Sequence, residues 1–243
     1  MSAKPELSVV IPTKNEEKSI GKCIEKIQRV FTEHHIDGEI IAADNYRDKT
    51  PEIAKGMEAK VIVPDEHGYG NAYRLLFEEA SGDYIVMGDG DNTYDFMDIP
   101  KLLEPLKKGE ADLVLGSRFK GEIKKGAMPW HHQYIGNPVL TWIFNRANKS
   151  TISDTHSGFR GFTKGAYEKM RTDLKASGME FATEMLEIGI MKSLRIAEVP
   201  ITYYPREGSR PNLNWISDGW RHLRHIISEH VTLGRGATVG EGE

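Results

Sequence analysis

The chain has 243 residues, 39% of them hydrophobic, enough for one large α/β domain with a full core or two small ones. A net charge of −4 argues against a general nucleic-acid binder, which carries a basic excess. A lone cysteine, Cys23, rules out an internal disulfide, and no stretch reaches the roughly 20 apolar residues of a membrane span. Met1 to Leu7 lacks the apolar centre of a signal peptide, so a reducing cytoplasm is expected, with peripheral contact at its membrane face left open.

Residues 7 to 117 alternate between short apolar runs and helix-type segments. Residues 7–11 read as a first strand. Residues 19–34 read as a helix, because Ile20, Ile24, Ile27 and Phe31 share one face. A second strand over 39–43 ends at Asp44. A short helix over 51–57 follows, with Thr50 as N-cap and Pro51 at its first position. Then come a strand over 60–63, a helix over 71–80, a strand over 84–87, a helix over 99–106 despite Pro100 and Pro105, and a strand over 112–115. This rhythm predicts an α/β fold with a mostly parallel central sheet and helices on both faces. Ligands bind beyond the carboxyl ends of such strands. Asn15, Asp44, Asp89, Asp91 and Arg118 all follow strand ends, so they are expected on one rim.

The second half has a different texture. Residues 118–134 read as a loop rich in Lys, Gly and His, and 135–147 as an apolar helix. Residues 154–162 are polar and punctuated by glycine. A helix over 180–192, an extended run over 195–203 and an amphipathic helix over 215–233 follow. The Gly-rich tail, 234–243, is expected to be disordered.

The stretch Tyr84-Ile-Val-Met-Gly-Asp-Gly-Asp91 carries the most chemistry: a buried-type strand ends in two aspartates one glycine apart. Two anions so close repel unless a cation lies near them. Mg²⁺ or Mn²⁺ suits a site with few carboxylates, the remaining ligands coming from a diphosphate and water. Gly90 would let a ligand approach the backbone. Pro12-Thr-Lys-Asn-Glu16 offers polar side chains and amides to a base and ribose, and serves equally well as a turn and helix cap. Asp44 is either a hydrogen-bond acceptor for a nucleoside or a cap. Gly68-Tyr-Gly70, before a helix, could close over a phosphate, although it matches neither GxxxxGK[ST] nor GxGxxG. Arg118 and Arg160 are candidate anion holders through paired hydrogen bonds. His131, His132 and His156 either assist them or are polar surface, and a zinc site is disfavoured without supporting cysteines.

Together, Leu7-Ser-Val-Val-Ile-Pro-Thr-Lys-Asn-Glu16, Asp44, Asp89-Gly-Asp91 and Ser157-Gly-Phe-Arg-Gly-Phe162 resemble the family 2 glycosyltransferases over residues 7–225. Gly126-Ala-Met-Pro-Trp130, Tyr134-Ile-Gly-Asn-Pro138, Gly178-Met-Glu-Phe181 and Ile196-Ala-Glu-Val-Pro-Ile201 are similar to the dolichyl- and polyprenyl-phosphate sugar transferase branch. The resemblance implies the GT-A fold and a single catalytic domain over 1–233. Its nucleotide-binding half would be 7–117, its acceptor-binding half 118–233. The implied activity is inverting transfer of a hexose from a UDP- or GDP-linked sugar to a lipid phosphate. Pro12, Thr13, Asn15, Glu16 and Asp44 would bind the nucleoside. Asp89 and Asp91 would form the DxD motif that holds ribose, metal and diphosphate. Arg118 and Arg160 would face the acceptor, and Glu184, one turn beyond Glu180, would point into the same cleft. Asp44-Asn-Tyr-Arg-Asp48-Lys-Thr50 departs from the family pattern in lacking a Gly-Ser pair and one residue.

A lipid monophosphate acceptor is already anionic and needs no strong base, so positioning and electrostatics would dominate. A sugar hydroxyl would need a carboxylate base, for which Glu184 or Asp154 could serve. The expected partners are a nucleotide-sugar donor and a lipid phosphate, with a homo-oligomer left open. In residues 215–233, Ile216, Trp220, Leu223, Ile227 and Val231 share a face that could lie on an anionic bilayer or pack on the domain. The rival reading is a non-catalytic nucleotide-sugar binder or partner subunit, favoured by the altered loop. A sugar nucleotidyltransferase is disfavoured, because its Gly- and Arg-rich opening loop is missing.

Overall fold

A computed structural model describes residues 4–44 and 48–207. The expected helix over 215–233, the tail, and Asn45 to Arg47 of the loop after the second strand lie outside the described residues. In chain order the elements are β1 (Leu7–Pro12), α1 (Ile20–Glu33), β2 (Gly38–Ala43), α2 (Thr50–Gly56), β3 (Lys60–Ile62), α3 (Tyr69–Glu79) and β4 (Tyr84–Met87). A 3₁₀ turn (Phe96–Asp98) leads into α4 (Ile99–Lys107) and β5 (Leu113–Ile123). A π-helical turn (His132–Gly136) runs straight into α5 (Asn137–Asn148). The described chain closes with β6 (Arg160–Thr163), α6 (Lys164–Met170), α7 (Phe181–Met191) and β7 (Ile196–Tyr203).

The seven strands form one sheet in the order β3-β2-β1-β4-β6-β5-β7. β1, β2, β3 and β4 run parallel, as do β5 and β7. β6 is antiparallel to both its neighbours, β4 and β5. Every strand except β6 therefore points its carboxyl end to the same rim. β1 shows how the sheet buries both faces: Leu7, Val9 and Ile11 pack with α1, α2 and α4, whereas Val10 packs with α3, α6 and α7. In α1, Ile20, Cys23, Ile24, Ile27 and Val30 recur at helical spacing and are buried.

Two local expectations are corrected, and the stretch 154–162, given no element from the sequence, acquires one. Residues 118–123 are not loop but the second half of β5, paired through a register shift with β7. The stretch 154–162 holds a strand, because Arg160–Thr163 fills the gap between β4 and β5. Thr50 is not the cap of α2 but its first residue, with a buried side chain whose hydroxyl accepts the Glu16 N–H at 3.0 Å. The cap function passes to Asp48, which accepts the Thr50 N–H at 3.0 Å and the Glu17 N–H at 3.1 Å. No described helix is long and apolar enough to cross a membrane.

Candidate active site

The ends of β1, β2 and β4 meet at the rim. Pro12 pairs in register with Ala43, and the Thr13 N–H donates to the Ala43 carbonyl at 2.9 Å. That places the Thr13 hydroxyl 2.6 Å from the Asp44 carboxylate, a short charge-assisted hydrogen bond in a buried setting. Ser19 ties this corner to the acidic loop: its hydroxyl lies 2.8 Å from the Gly90 carbonyl and 3.2 Å from a Glu16 carboxylate oxygen. A Cβ on Gly90 would stand 2.9 Å from the Thr13 methyl. The glycine thus lets the turns after β1 and β4 pack together, rather than leaving room for a ligand at that atom. Asn15 and Asn92 hold the two turns in the left-handed region (φ 59° and 60°), which asparagine tolerates better than most residues.

Asp89 and Asp91 sit on the loop leaving β4. Asp91 is buried. One of its oxygens accepts from the Thr93 hydroxyl (2.6 Å) and N–H (3.0 Å), and the other meets the Arg206 guanidinium at 2.5 Å. Arg206 arrives on the segment after β7, which is strapped across the corner by Tyr204 N–H to the Thr93 carbonyl (2.8 Å) and by Glu207 against Lys22 and Asn92. It also reaches Glu16 at 3.7 Å. Asp89 is partly exposed and accepts from the Tyr73 hydroxyl at 3.2 Å. Burial, then the neighbouring charge of Asp91, push its pKa up to about 7, with Arg206 and the Tyr73 and Tyr69 hydroxyls pulling the other way.

This corner is short of positive charge, which is the condition a divalent cation relieves. Among the described residues no group of three or more His, Cys, Asp or Glu side chains could form a closed metal cage. Two adjacent carboxylates, one of them partly open, fit Mg²⁺ or Mn²⁺ completed by phosphate and water oxygens, and do not fit structural zinc.

Arg118, at the bend of β5, is buried and gripped by Asp154. Its Nε and Nη2 donate to the two carboxylate oxygens at 2.7 Å each, and its backbone N–H donates at 3.1 Å. The guanidinium lies 5.2 Å from the centre of the Tyr203 ring. Burial opposes its charge, but Asp154 and the nearby phenols hold its pKa above the usual arginine value. His132 is depressed by burial, then by His131 and Arg118.

Four other expected site residues have different surroundings. Arg160 does not open onto a cleft. It is fully buried, and its nitrogens donate to the carbonyls of Ser157 (2.8 Å), Ala182 (2.7 Å) and Thr155 (3.1 Å), so it staples β6 to α7. Glu184 accepts from the N–H groups of Lys175 and Ala176 at 2.9–3.1 Å and holds the loop before α7. That loop is what Gly68 and Gly70 accommodate. A Cβ on Gly70 would stand 2.0 Å from the Ala176 carbonyl oxygen, and one on Gly68 2.4 Å from that of Ser177. Gly68 also has φ +139°, a backbone state that favours glycine. The pair receives a protein backbone where a phosphate was expected.

Four residues at the site are not among the expected site residues. Tyr69, Tyr73 and Tyr94 surround Asp89 and form an aromatic wall with Phe159 and Phe181. The Tyr94 hydroxyl accepts the Gly158 N–H at 2.8 Å, linking the wall to the Ser157–Phe162 motif. Arg206 follows a strand end, the same signal that singled out Asp89 and Arg118.

The family model described as Glycosyl transferase family 2 matches residues 8–171. The low-salt glycan biosynthesis hexosyltransferase of Haloferax volcanii is 49% identical over 92% of this chain, and the match spans 53% of that relative's length. The dolichyl-phosphate hexose transferase of the same organism is 33% identical over 84% of this chain and 85% of its own. A crystal structure of glucosyl-3-phosphoglycerate synthase from Mycobacterium tuberculosis, with Mn²⁺, uridine diphosphate and phosphoglyceric acid, superposes with a TM-score of 0.73. It covers 94% of this chain and 79% of that one at 22% identity, so the likeness is one of fold, the GT-A arrangement. By its sheet, its strand-end acidic pair and the family model over residues 8–171, the chain belongs to glycosyl transferase family 2.

Proposed function

We propose that this chain moves a hexose from a nucleoside diphosphate sugar to a polyprenyl or dolichyl phosphate, with inversion and with Mg²⁺ or Mn²⁺. The observation that carries the donor side is the convergence of Thr13, Asp44, Asp89 and Asp91 at the ends of three neighbouring parallel strands. Asp44 and the turn after β1 would hold base and ribose. Asp89 and Asp91 would hold the cation, which when bound offsets charge on the departing diphosphate. Arg206, already paired to Asp91, is placed to hand its guanidinium to a diphosphate oxygen.

The acceptor class follows from which carboxylates are engaged. A sugar hydroxyl needs a general base, and the two candidates both have other duties. Asp154 is locked in a bidentate pair with Arg118, and Glu184 in four contacts to backbone N–H groups. A phosphate acceptor needs no proton removed. The edge of Arg118 turned away from Asp154 can orient it, with Asp154 holding the guanidinium plane. The name of one Haloferax relative, a dolichyl-phosphate hexose transferase, supports the same acceptor.

The test is transfer of labelled hexose from UDP- and GDP-sugars to dolichyl phosphate, with Mn²⁺ or Mg²⁺ and with EDTA. Metal-dependent appearance of a lipid-linked hexose supports the reading, and its absence with every donor overturns it. The departure at Asp44–Thr50 favours one rival, a non-catalytic nucleotide-sugar binder. Calorimetric binding of a nucleoside diphosphate without turnover would establish that rival instead.

A further inference from the structure

The outward side of the π-helical turn and α5 is built the wrong way round for a water-facing helix. Trp130 and Trp142 are each 67% exposed, Tyr134 70%, Ile135 52% and Val139 49%. From Ile135 on, the exposed positions are 135, 138, 139, 142, 146 and 149, a single stripe at helical spacing. The stripe begins apolar and ends in Arg146 and Lys149. The opposite face is the ordinary one. Phe144 is buried, the Thr141 and Thr155 hydroxyls lie 3.0 Å apart, and Asn145 donates to the Ile152 carbonyl at 2.7 Å while accepting its N–H at 3.0 Å.

Charge is sorted along with hydrophobicity. No residue from 123 to 153 is acidic, in a chain whose Asp and Glu outnumber its Lys and Arg by 36 to 32. The same stretch contains Lys124, Lys125, Arg146, Lys149 and the pair His131 and His132. An apolar, aromatic stripe that ends in Arg146 and Lys149 and carries no carboxylate of its own complements an anionic lipid surface, where indole and phenol rings settle at headgroup level. Large exposed apolar patches on water-soluble chains mark such contacts.

We propose that this face is the docking surface for an anionic bilayer. Its place in the fold gives it a purpose under the lipid-phosphate reading above, on which the purpose, though not the docking itself, rests. The inner face of α5 holds residues 152–155, and Asp154 of that segment grips Arg118. A bilayer against the outer face would thus lie one helix away from the guanidinium that orients the acceptor phosphate.

The test uses the full chain and vesicles without acceptor lipid, so its outcome is separate from that of the transfer assay. Wild type and Trp130→Ser/Trp142→Ser are floated with phosphatidylcholine vesicles, with and without phosphatidylglycerol. Wild type is expected to partition onto the anionic vesicles only. The double variant, altered at exposed positions and so expected to melt with wild type, should lose binding on the order of tenfold or more. Equal binding by both chains would overturn the proposal and move the contact elsewhere. No binding by either would also overturn it. So would a wild-type dimer in light scattering that the double variant abolishes, since a second copy would then be the occupant.

Discussion

The rim at β1, β2 and β4 and the flank formed by β5, β6 and α7 use charged residues in opposite ways. At the rim, Asp89 and Asp91 face one guanidinium, and burial together with the charge of Asp91 pushes the Asp89 pKa up to about 7. On the flank, Arg118 has Asp154, Arg160 has three carbonyls and Glu184 has two amides. A charge that the fold leaves partly uncompensated invites a ligand to complete it. One that the fold compensates internally positions other groups. That difference separates Asp89 and Asp91, expected to hold the donor, from Arg160 and Glu184, expected to shape the site; Arg118 stands between them, fixed by Asp154 along one edge and proposed to meet the acceptor with the other.

The sharpest way to break this contrast is Asp91→Ala. It should lower metal-dependent transfer on the order of 10³-fold and abolish the Mn²⁺-dependent thermal shift with donor, while circular dichroism stays that of wild type. Near-normal turnover would remove the acidic corner from the chemistry.

Arg118→Ala probes the other region. It leaves Asp154 buried without its partner, which costs about 3–5 kcal/mol, read by urea denaturation. Arg118→Met combined with Asp154→Leu should recover most of that stability but not the activity. Recovery of both would reduce Arg118 to a packing residue. Glu184→Gln keeps the shape and weakens its charge-assisted hydrogen bonds, so a loss of about 1–2 kcal/mol is expected, with an unchanged pH profile of transfer. A general base would instead lose about 10²–10⁴-fold in rate and the acidic limb of that profile.

The smallest effect belongs to Asp112, at the opposite rim. The Arg195 guanidinium, partly offset by burial, holds its pKa at about 2, below the ordinary 3.8. The folded state therefore keeps this carboxylate ionised to lower pH than the unfolded chain does. Its stabilisation is full above the unfolded pKa and lost as pH falls through the folded value. With Arg195 exposed, Asp112→Asn should lower stability by less than about 1 kcal/mol at neutral pH, the deficit closing by about pH 2. A larger deficit would show that even water-facing pairs contribute strongly here.

Much of the first half was legible because local pattern and final structure agree. Apolar runs at 7–11, 39–43 and 84–87 became buried strands, and the helical spacing of Ile20, Ile24 and Ile27 became the inner face of α1. The second half was harder. Residues 160–163 carry an arginine and a glycine where a strand usually shows alternation. They form β6 only because β4 and β5 leave a gap with free backbone groups on both sides. The far half of β5 carries Arg118, Lys120, Gly121 and Glu122, and it is a strand because β7 pairs with it. Gly68 and Gly70 look like a phosphate loop in isolation, and only the approach of residues 176 and 177 explains them.

By itself, then, the chain determined the layered sheet and the acidic corner, since strand period, helix period and strand-end placement are local properties that survive any plausible packing. Tertiary structure decided which charges stay available. Arg118 and Asp154 are 36 positions apart, Arg160 and Ala182 22, and Asp91 and Arg206 115. Ionic and hydrogen-bonding partners are chosen by proximity in space, and a buried charge acts on a ligand only to the extent that its neighbours leave it unsatisfied.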